Sequence, residues 1–163
     1  MDVFGGLGKK TTSRGFNRAT QGIRQTGSSS KPLTVLVPGI DKKIFTASTI
    51  FDDKQTSFID RKKENYSPTN NSGYLGKITV RRAVESSQNI PFVEMMEKIT
   101  PSTSIKYLEK MGITTLTEED NNLALALGGL DKGISPLEMA GAYSTLANDR
   151  SIYRTNFLHK DYK

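Results

Sequence analysis

The 163 residues contain no cysteine, no tryptophan and a single histidine. Without cysteine the chain can build no disulfide framework, thiol nucleophile or zinc ribbon, and its redox compartment stays open. The one histidine, His159 near the C-terminus, cannot by itself furnish a Ser-His-Asp triad, and a lone histidine beside a terminus is ordinarily a solvated side chain. No run of about 18 apolar residues occurs, so no segment reads as a membrane span. Met1 is not followed by a charged-then-apolar leader, so no signal peptide is expected in these residues.

Hydrophobic residues make up 35% of the chain and the mean hydropathy is -0.48, polar for a globular protein but far from the composition of a disordered one. The length suits one domain. The net charge of +6 is uneven: residues 1–63 hold twelve Lys and Arg against five Asp and Glu, whereas residues 64–163 hold eleven against twelve. A basic half points to an anionic partner, be it nucleic acid, a lipid headgroup or a carboxylate-bearing substrate, and charge alone does not choose among them.

Residues 1–27 are rich in Gly, Thr, Lys and Arg, with Val3-Phe4-Gly5 the only strand-like scrap. The stretch GGLGKKTT fails as a phosphate loop, since Lys10 follows Gly8-Lys9 where Ser or Thr is required and Val3 stands in place of the first glycine. LTVLV at Leu33–Val37 reads from its apolar run as a short buried strand, stopped by Pro38-Gly39. Residues 41–78, crowded with charges, Asn, Ser and Gly, read as a long irregular excursion.

The second half carries helix signals. Thr79 is an N-cap, and Val80, Ala83, Val84 and Ser87 recur on one face, which predicts Ser87 on an inward stripe. Ile90-Pro91 opens another helix with Phe92, Met95, Met96 and Ile99 as its apolar face, a packing stripe. Thr103 to Met111 forms a third, closed by Gly112. Ser135-Pro136-Leu137-Glu138 is a capping box that opens a helix packed through Met139, Ala142, Tyr143 and Leu146 and ended by Asn148.

Two triplets carry chemistry. In Ser28-Ser29-Ser30-Lys31, a helix starting at Ser28 brings Ser28 and Lys31 onto one face, where a desolvated lysine can take the serine proton. The alternative is solvated serine-rich coil. In Ser87-Gln88-Asn89 a hydroxyl could relay a proton and an amide could bind a carbonyl, or the triplet is simply a helix-end serine with a capping asparagine.

Together with their surroundings these residues resemble the transpeptidase domain of class A (bifunctional) penicillin-binding proteins, which share S-x-x-K, S-x-N and K-T-G elements with serine β-lactamases. The likeness runs through Gly15–Thr20, Arg24-Gln25-Thr26-Gly27-Ser28, Lys31-Pro32, Tyr66–Asn70, Gly76–Arg81, Ser87–Pro91, Ala126–Gly129, Gly133–Ala140, Ala142-Tyr143 and Ala147-Asn148. It implies an α+β fold, mostly α in this chain: the helical part of the penicillin-binding protein and serine β-lactamase-like fold with much of its antiparallel sheet missing. It implies a partial transpeptidase domain over 1–163: residual strand and loop at 1–27, the S-x-x-K helix at 28–40, a cleft-side region at 41–78 and a helical region with S-x-N at 79–163. LTVLV would then continue the Ser28 helix. The resemblance makes Ser28 the nucleophile, Lys31 its base, Ser87 the proton relay and Asn89 the residue that binds the acyl side of the substrate. It implies peptidoglycan stem peptides ending in D-Ala-D-Ala and β-lactams as partners, no metal and no other cofactor. A membrane link would come only through upstream regions, at the extracytoplasmic face of the bacterial cell membrane.

Three departures stand out. Ser30 occupies a position where the family usually has a bulky apolar residue, which predicts a looser helix start. Asp149-Arg150 follows Asn148 where glycine is usual. No K-T-G triplet occurs, and the family places it downstream, so a truncated domain with weak or no activity of its own is expected. A non-enzymatic β-lactam-recognising or regulatory module of the same fold is the alternative. A nucleic-acid-binding reading of the basic half finds only scattered phenylalanines and no recognition helix, so no nucleic-acid partner is expected.

Overall fold

A computed structural model of the chain describes residues 15–60 and 64–148. The Val3–Gly5 strand, the GGLGKKTT stretch, Asp149-Arg150 and His159 lie outside the described residues. Within them the protein is mostly helical with two small antiparallel pairs, in line with an α+β fold dominated by helix.

The segment carrying both candidate catalytic residues is helical from Gly27 to Asp41, but its pitch changes twice. It begins as a 3-10 turn, Gly27–Ser30, widens into a π stretch, Pro32–Leu36, and finishes as α1, Val37–Asp41. LTVLV is thus helix, and the strand reading of its apolar run is wrong: Leu33, Thr34 and Val35 are buried and the half-buried Leu36 and Val37 are apolar as well, so the run has no polar period. Two prolines account for the uneven pitch, because neither Pro32 nor Pro38 has an N–H to donate. Thr34 C=O would bond the amide of residue 38 in an α-helix; instead it accepts from the Ser104 hydroxyl at 2.6 Å. Gly39 leaves room for Phe45, whose ring would lie 2.1 Å from a Cβ there.

Residues 41–78, expected to be irregular, contain four short strands. β1, Ile50–Asp53, pairs antiparallel with β4, Gly76–Thr79, in the register Ile50 to Thr79 and Asp53 to Gly76. β2, Phe58–Ile59, pairs with β3, Asn65–Tyr66. These strands are too short and too polar to announce themselves by alternation.

Thr79 caps α2, Val80–Glu85, by accepting from Arg82 N at 3.2 Å. Val80 and Ala83 are buried as the pattern predicts, but Val84 is 39% exposed. α3, Asn89–Ile99, is the hub of the core, with Ile90, Phe92, Val93, Met95, Met96 and Ile99 all buried. It packs on β1, α4 and the π stretch. α4, Pro101–Lys110, follows across Thr100 and ends before Gly112, whose φ is +90°. α5, Pro136–Ala147, opens with the capping box, Ser135 Oγ accepting from Glu138 N at 3.2 Å and Glu138 Oε2 accepting from Ser135 N at 3.1 Å. Of its predicted packing residues Ala142 is buried, Met139 and Tyr143 pack partly, and Leu146 is 49% exposed.

Candidate active site

The Ser28 turn is built by its neighbours. Arg24 and Ile134 exchange backbone hydrogen bonds at 3.2 and 2.9 Å, and the Gln25 amide bonds both the C=O and the N–H of Leu130. Gly128, at φ +79°, lies so close that a Cβ would sit 2.2 Å from Gly27 O, which only glycine permits. Tyr143 OH donates to Ser29 O at 2.5 Å, tying α5 to the same turn.

Within the turn the three serines separate by role. Ser29 Oγ donates to Thr26 O at 2.6 Å and Ser30 Oγ to Gly27 O at 2.9 Å, so both hydroxyls fold back on their own backbone. Ser30 is fully buried, and the looser start predicted from its small side chain is absent: the hydroxyl finds a partner in place. Ser28 alone is exposed with no hydrogen-bond partner for its hydroxyl among the described residues.

Lys31, one turn on, is only 2% exposed. Its ammonium donates to Ser87 O at 2.8 Å and to Asn89 Oδ1 at 2.8 Å, with Ser87 Oγ and Gln88 O each at 3.3 Å. Its Nζ lies 4.8 Å from the centroid of the Phe92 ring. None of these partners is an anion, and burial pulls the amine pKa from 10.5 down to about 8. A lysine so tuned is partly neutral near physiological pH and can act as a base.

The S-x-N turn receives it. α2 ends in a Schellman motif: Gln88 N donates to Ala83 O at 3.0 Å and Ser87 N to Val84 O at 3.1 Å. Ser87 therefore takes the left-handed position, φ +52°, where glycine is the default. The expectation that Ser87 lies on the inward stripe of the helix is corrected by this geometry. The helix stops two residues earlier, and the reversed backbone turns Ser87 C=O and Oγ toward Lys31. Asn89 begins α3. Its Oδ1 accepts from Lys31 while its Nδ2 donates to Thr69 O at 2.6 Å, a pair of partners that fixes the orientation of the amide and leaves one amide proton unspent.

The fold thus brings Lys31, Ser87 and Asn89 into contact and places Ser28 one turn before Lys31, without a Ser28–Lys31 hydrogen bond. The 163 residues match the family model of the penicillin-binding protein transpeptidase domain over residues 8–163. The chain belongs to that family. It is 41% identical over 140 residues to penicillin-binding protein 1F of Bacillus subtilis, covering 86% of this chain and 18% of the relative. Among solved structures it resembles penicillin-binding protein 1A from Haemophilus influenzae, with a TM-score of 0.71, 29% identity, and coverage of 82% of this chain and 19% of the other. It also resembles PonA1 from Mycobacterium tuberculosis, with a TM-score of 0.72, 25% identity, and coverage of 88% and 37%. The chain spans about a fifth of the length of the curated relatives it matches. These likenesses bear out the resemblance drawn from the motifs and its helix-rich transpeptidase fold.

Sequence reasoning did not find Thr69, Asn70 and Asp53, which hold the S-x-N turn of this transpeptidase domain from behind. The Tyr66–Asn70 block had marked the region as cleft-side, but no periodic or spacing signal shows which backbone amide a loop asparagine will meet. Among the described residues no three His, Asp or Glu gather closely enough to hold a metal ion. Nor, among them, is any helix long and apolar enough to cross a membrane.

Proposed function

We propose that this chain carries the acylating centre of a serine D,D-transpeptidase that cross-links peptidoglycan. Ser28 Oγ attacks the carbonyl of the penultimate D-Ala of a stem peptide, forming an ester while the bond to the terminal D-Ala breaks. Lys31, in its neutral form, takes the Ser28 proton, and Ser87 passes a proton to the departing amine. The unspent amide proton of Asn89 holds the acyl side of the substrate. An amino group from a neighbouring stem then displaces Ser28 and completes the cross-link. A β-lactam acylates Ser28 by the same attack on its strained amide. Such a substrate sets the work of the longer relatives at the extracytoplasmic face of the bacterial cell membrane.

The observation that carries this reading is the Lys31 amine. It is buried among Ser87 and Asn89 with its pKa lowered to about 8, on the turn after an exposed Ser28 whose hydroxyl has no partner among the described residues. The absence of a Ser28–Lys31 hydrogen bond is compatible with the role, since catalytic hydrogen bonds often tighten only when substrate binds.

The test is intact mass after incubation with penicillin, on this chain and on Ser28→Ala. A penicilloyl adduct that maps to Ser28 and vanishes in the variant is expected. Because the neutral amine is the base, the rate of adduct formation should rise about tenfold from pH 6 to pH 7 and level off above about 8, and Lys31→Arg should abolish it. An adduct on the folded chain that survives Ser28→Ala, or no adduct at all, would overturn the assignment of Ser28.

A further inference from the structure

We propose that Asp53 and Asn70 form a positioning pair that locks the Ser87–Asn89 turn onto the Lys31 amine, a role that rests on the reading of Lys31 as the catalytic base.

α3 starts without a cap of its own, since the N-cap Gln88 makes no side-chain hydrogen bond to the helix backbone. Pro91 has no amide, so the exposed donors of the first turn include Asn89 N and Ile90 N. Both are taken by one atom from outside the helix: Asn70 Oδ1 accepts from Asn89 N at 2.7 Å and from Ile90 N at 3.2 Å. The other end of the same amide is equally committed. Asn70 Nδ2 donates to Asp53 Oδ1 at 2.6 Å and to Gly73 O at 3.1 Å. Asp53 has 0% exposure, and its second oxygen accepts from Leu75 N at 2.9 Å. A buried carboxylate at the end of β1 thus orients an amide whose oxygen grips the first turn of α3.

Among the described residues, every oxygen that receives Lys31 Nζ belongs to Ser87, Gln88 or Asn89. Thr69, the residue before Asn70, closes the frame, because its C=O accepts from the Asn89 side chain at 2.6 Å. Asn70 makes no hydrogen bond to Lys31 or Ser28, so it acts through the turn. Its requirement is specific: one end must accept from two amides while the other donates to a carboxylate. Aspartate at position 70 would still accept from the helix but would set two carboxylates against each other. Exchanging the two side chains restores the pattern, with the carboxylate now accepting from the α3 amides and the amide of position 53 donating across to it. The bond to Gly73 O is lost, and a carboxylate oxygen then stands beside that carbonyl at an exposed edge where water can bridge the two.

The experiment reads Lys31 directly and does not require activity. The chain and the variants Asn70→Ala, Asn70→Asp and the exchange Asp53→Asn with Asn70→Asp are labelled briefly with acetic anhydride. Acetylation of Lys31 is then compared with that of Lys106 by peptide mapping. Both single variants should raise Lys31 labelling about tenfold relative to Lys106, the loss of a buried hydrogen-bonded anchor, and the exchange should bring it back to the unaltered level. Unchanged Lys31 labelling in folded Asn70→Ala, or raised labelling in a folded exchange variant, would overturn the proposal. Where the variants do not fold, hydrogen exchange on the unaltered chain decides: protected Asn89 and Ile90 amides support the pair, and free exchange there overturns it. Failure of penicillin to acylate Ser28 in the unaltered chain would sink the functional reading while leaving this labelling result intact.

Discussion

Three adjacent serines with the same chemistry end in three different states, and hydrogen bonding to the backbone sorts them. Ser29 and Ser30 satisfy their hydroxyls on Thr26 O and Gly27 O, leaving Ser28 as the one available oxygen. Ser87 shows the reverse economy, a side chain kept at a backbone position that favours glycine. A non-glycine residue in the left-handed region costs about 1–2 kcal/mol, so Ser87→Gly should leave the protein as stable or more so. It should also remove the hydroxyl that meets Lys31, and loss of a positioned proton-transfer group lowers a rate by about 10²–10⁴. Thermal melts beside penicillin acylation rates check both halves. Acylation at the unaltered rate would show that the Ser87 hydroxyl carries no proton, and a lower melting temperature that its side chain stabilises the turn by more than the left-handed backbone costs.

At the level of elements, capping residues were the most legible part of the sequence and apolar runs the least. Thr79 and the Ser135–Glu138 box mark helix starts that the structure reproduces, because a cap is a local bargain between a side chain and amides two or three residues away. The S-x-x-K and S-x-N triplets were visible for the same local reason. LTVLV was misread because its groove-lining Leu36 and Val37 are as apolar as its buried positions and leave no period, and the bonds that make it helical reach across the fold. The Ser104–Thr34 contact is one such bond, spanning 70 residues to fill a carbonyl that Pro38 leaves empty. Ser104→Ala should strand that buried carbonyl and cost about 1–3 kcal/mol, read as a lowered urea midpoint with an unchanged slope. The neighbouring exposed Ser102→Ala is the control and should stay within about 0.5 kcal/mol. Equal effects from the two would mean that the π stretch is held by packing alone.

Across the whole molecule, helical periodicity tells which residues share a face but not what that face meets. Leu108 and Leu146 look alike in sequence, each on the apolar side of a well-signalled helix. Leu108 is fully buried against the α3 hub, whereas Leu146 lines an open groove of about 590 Å³ with Pro32, Leu36, Ile40, Tyr107 and Met111. The core therefore sits on one side of the Ser28 helix, and the groove side contributes little to holding the described residues together. Removing a buried leucine side chain costs about 2–5 kcal/mol, so Leu108→Ala should bring the chain close to unfolding, given a total stability of about 5–15 kcal/mol. Leu146→Ala leaves no cavity and should cost under about 1 kcal/mol. Urea titrations of the two variants separate the cases. A Leu146→Ala loss as large as that of Leu108→Ala would mean that the groove is filled in solution and that the core extends across both faces of the Ser28 helix.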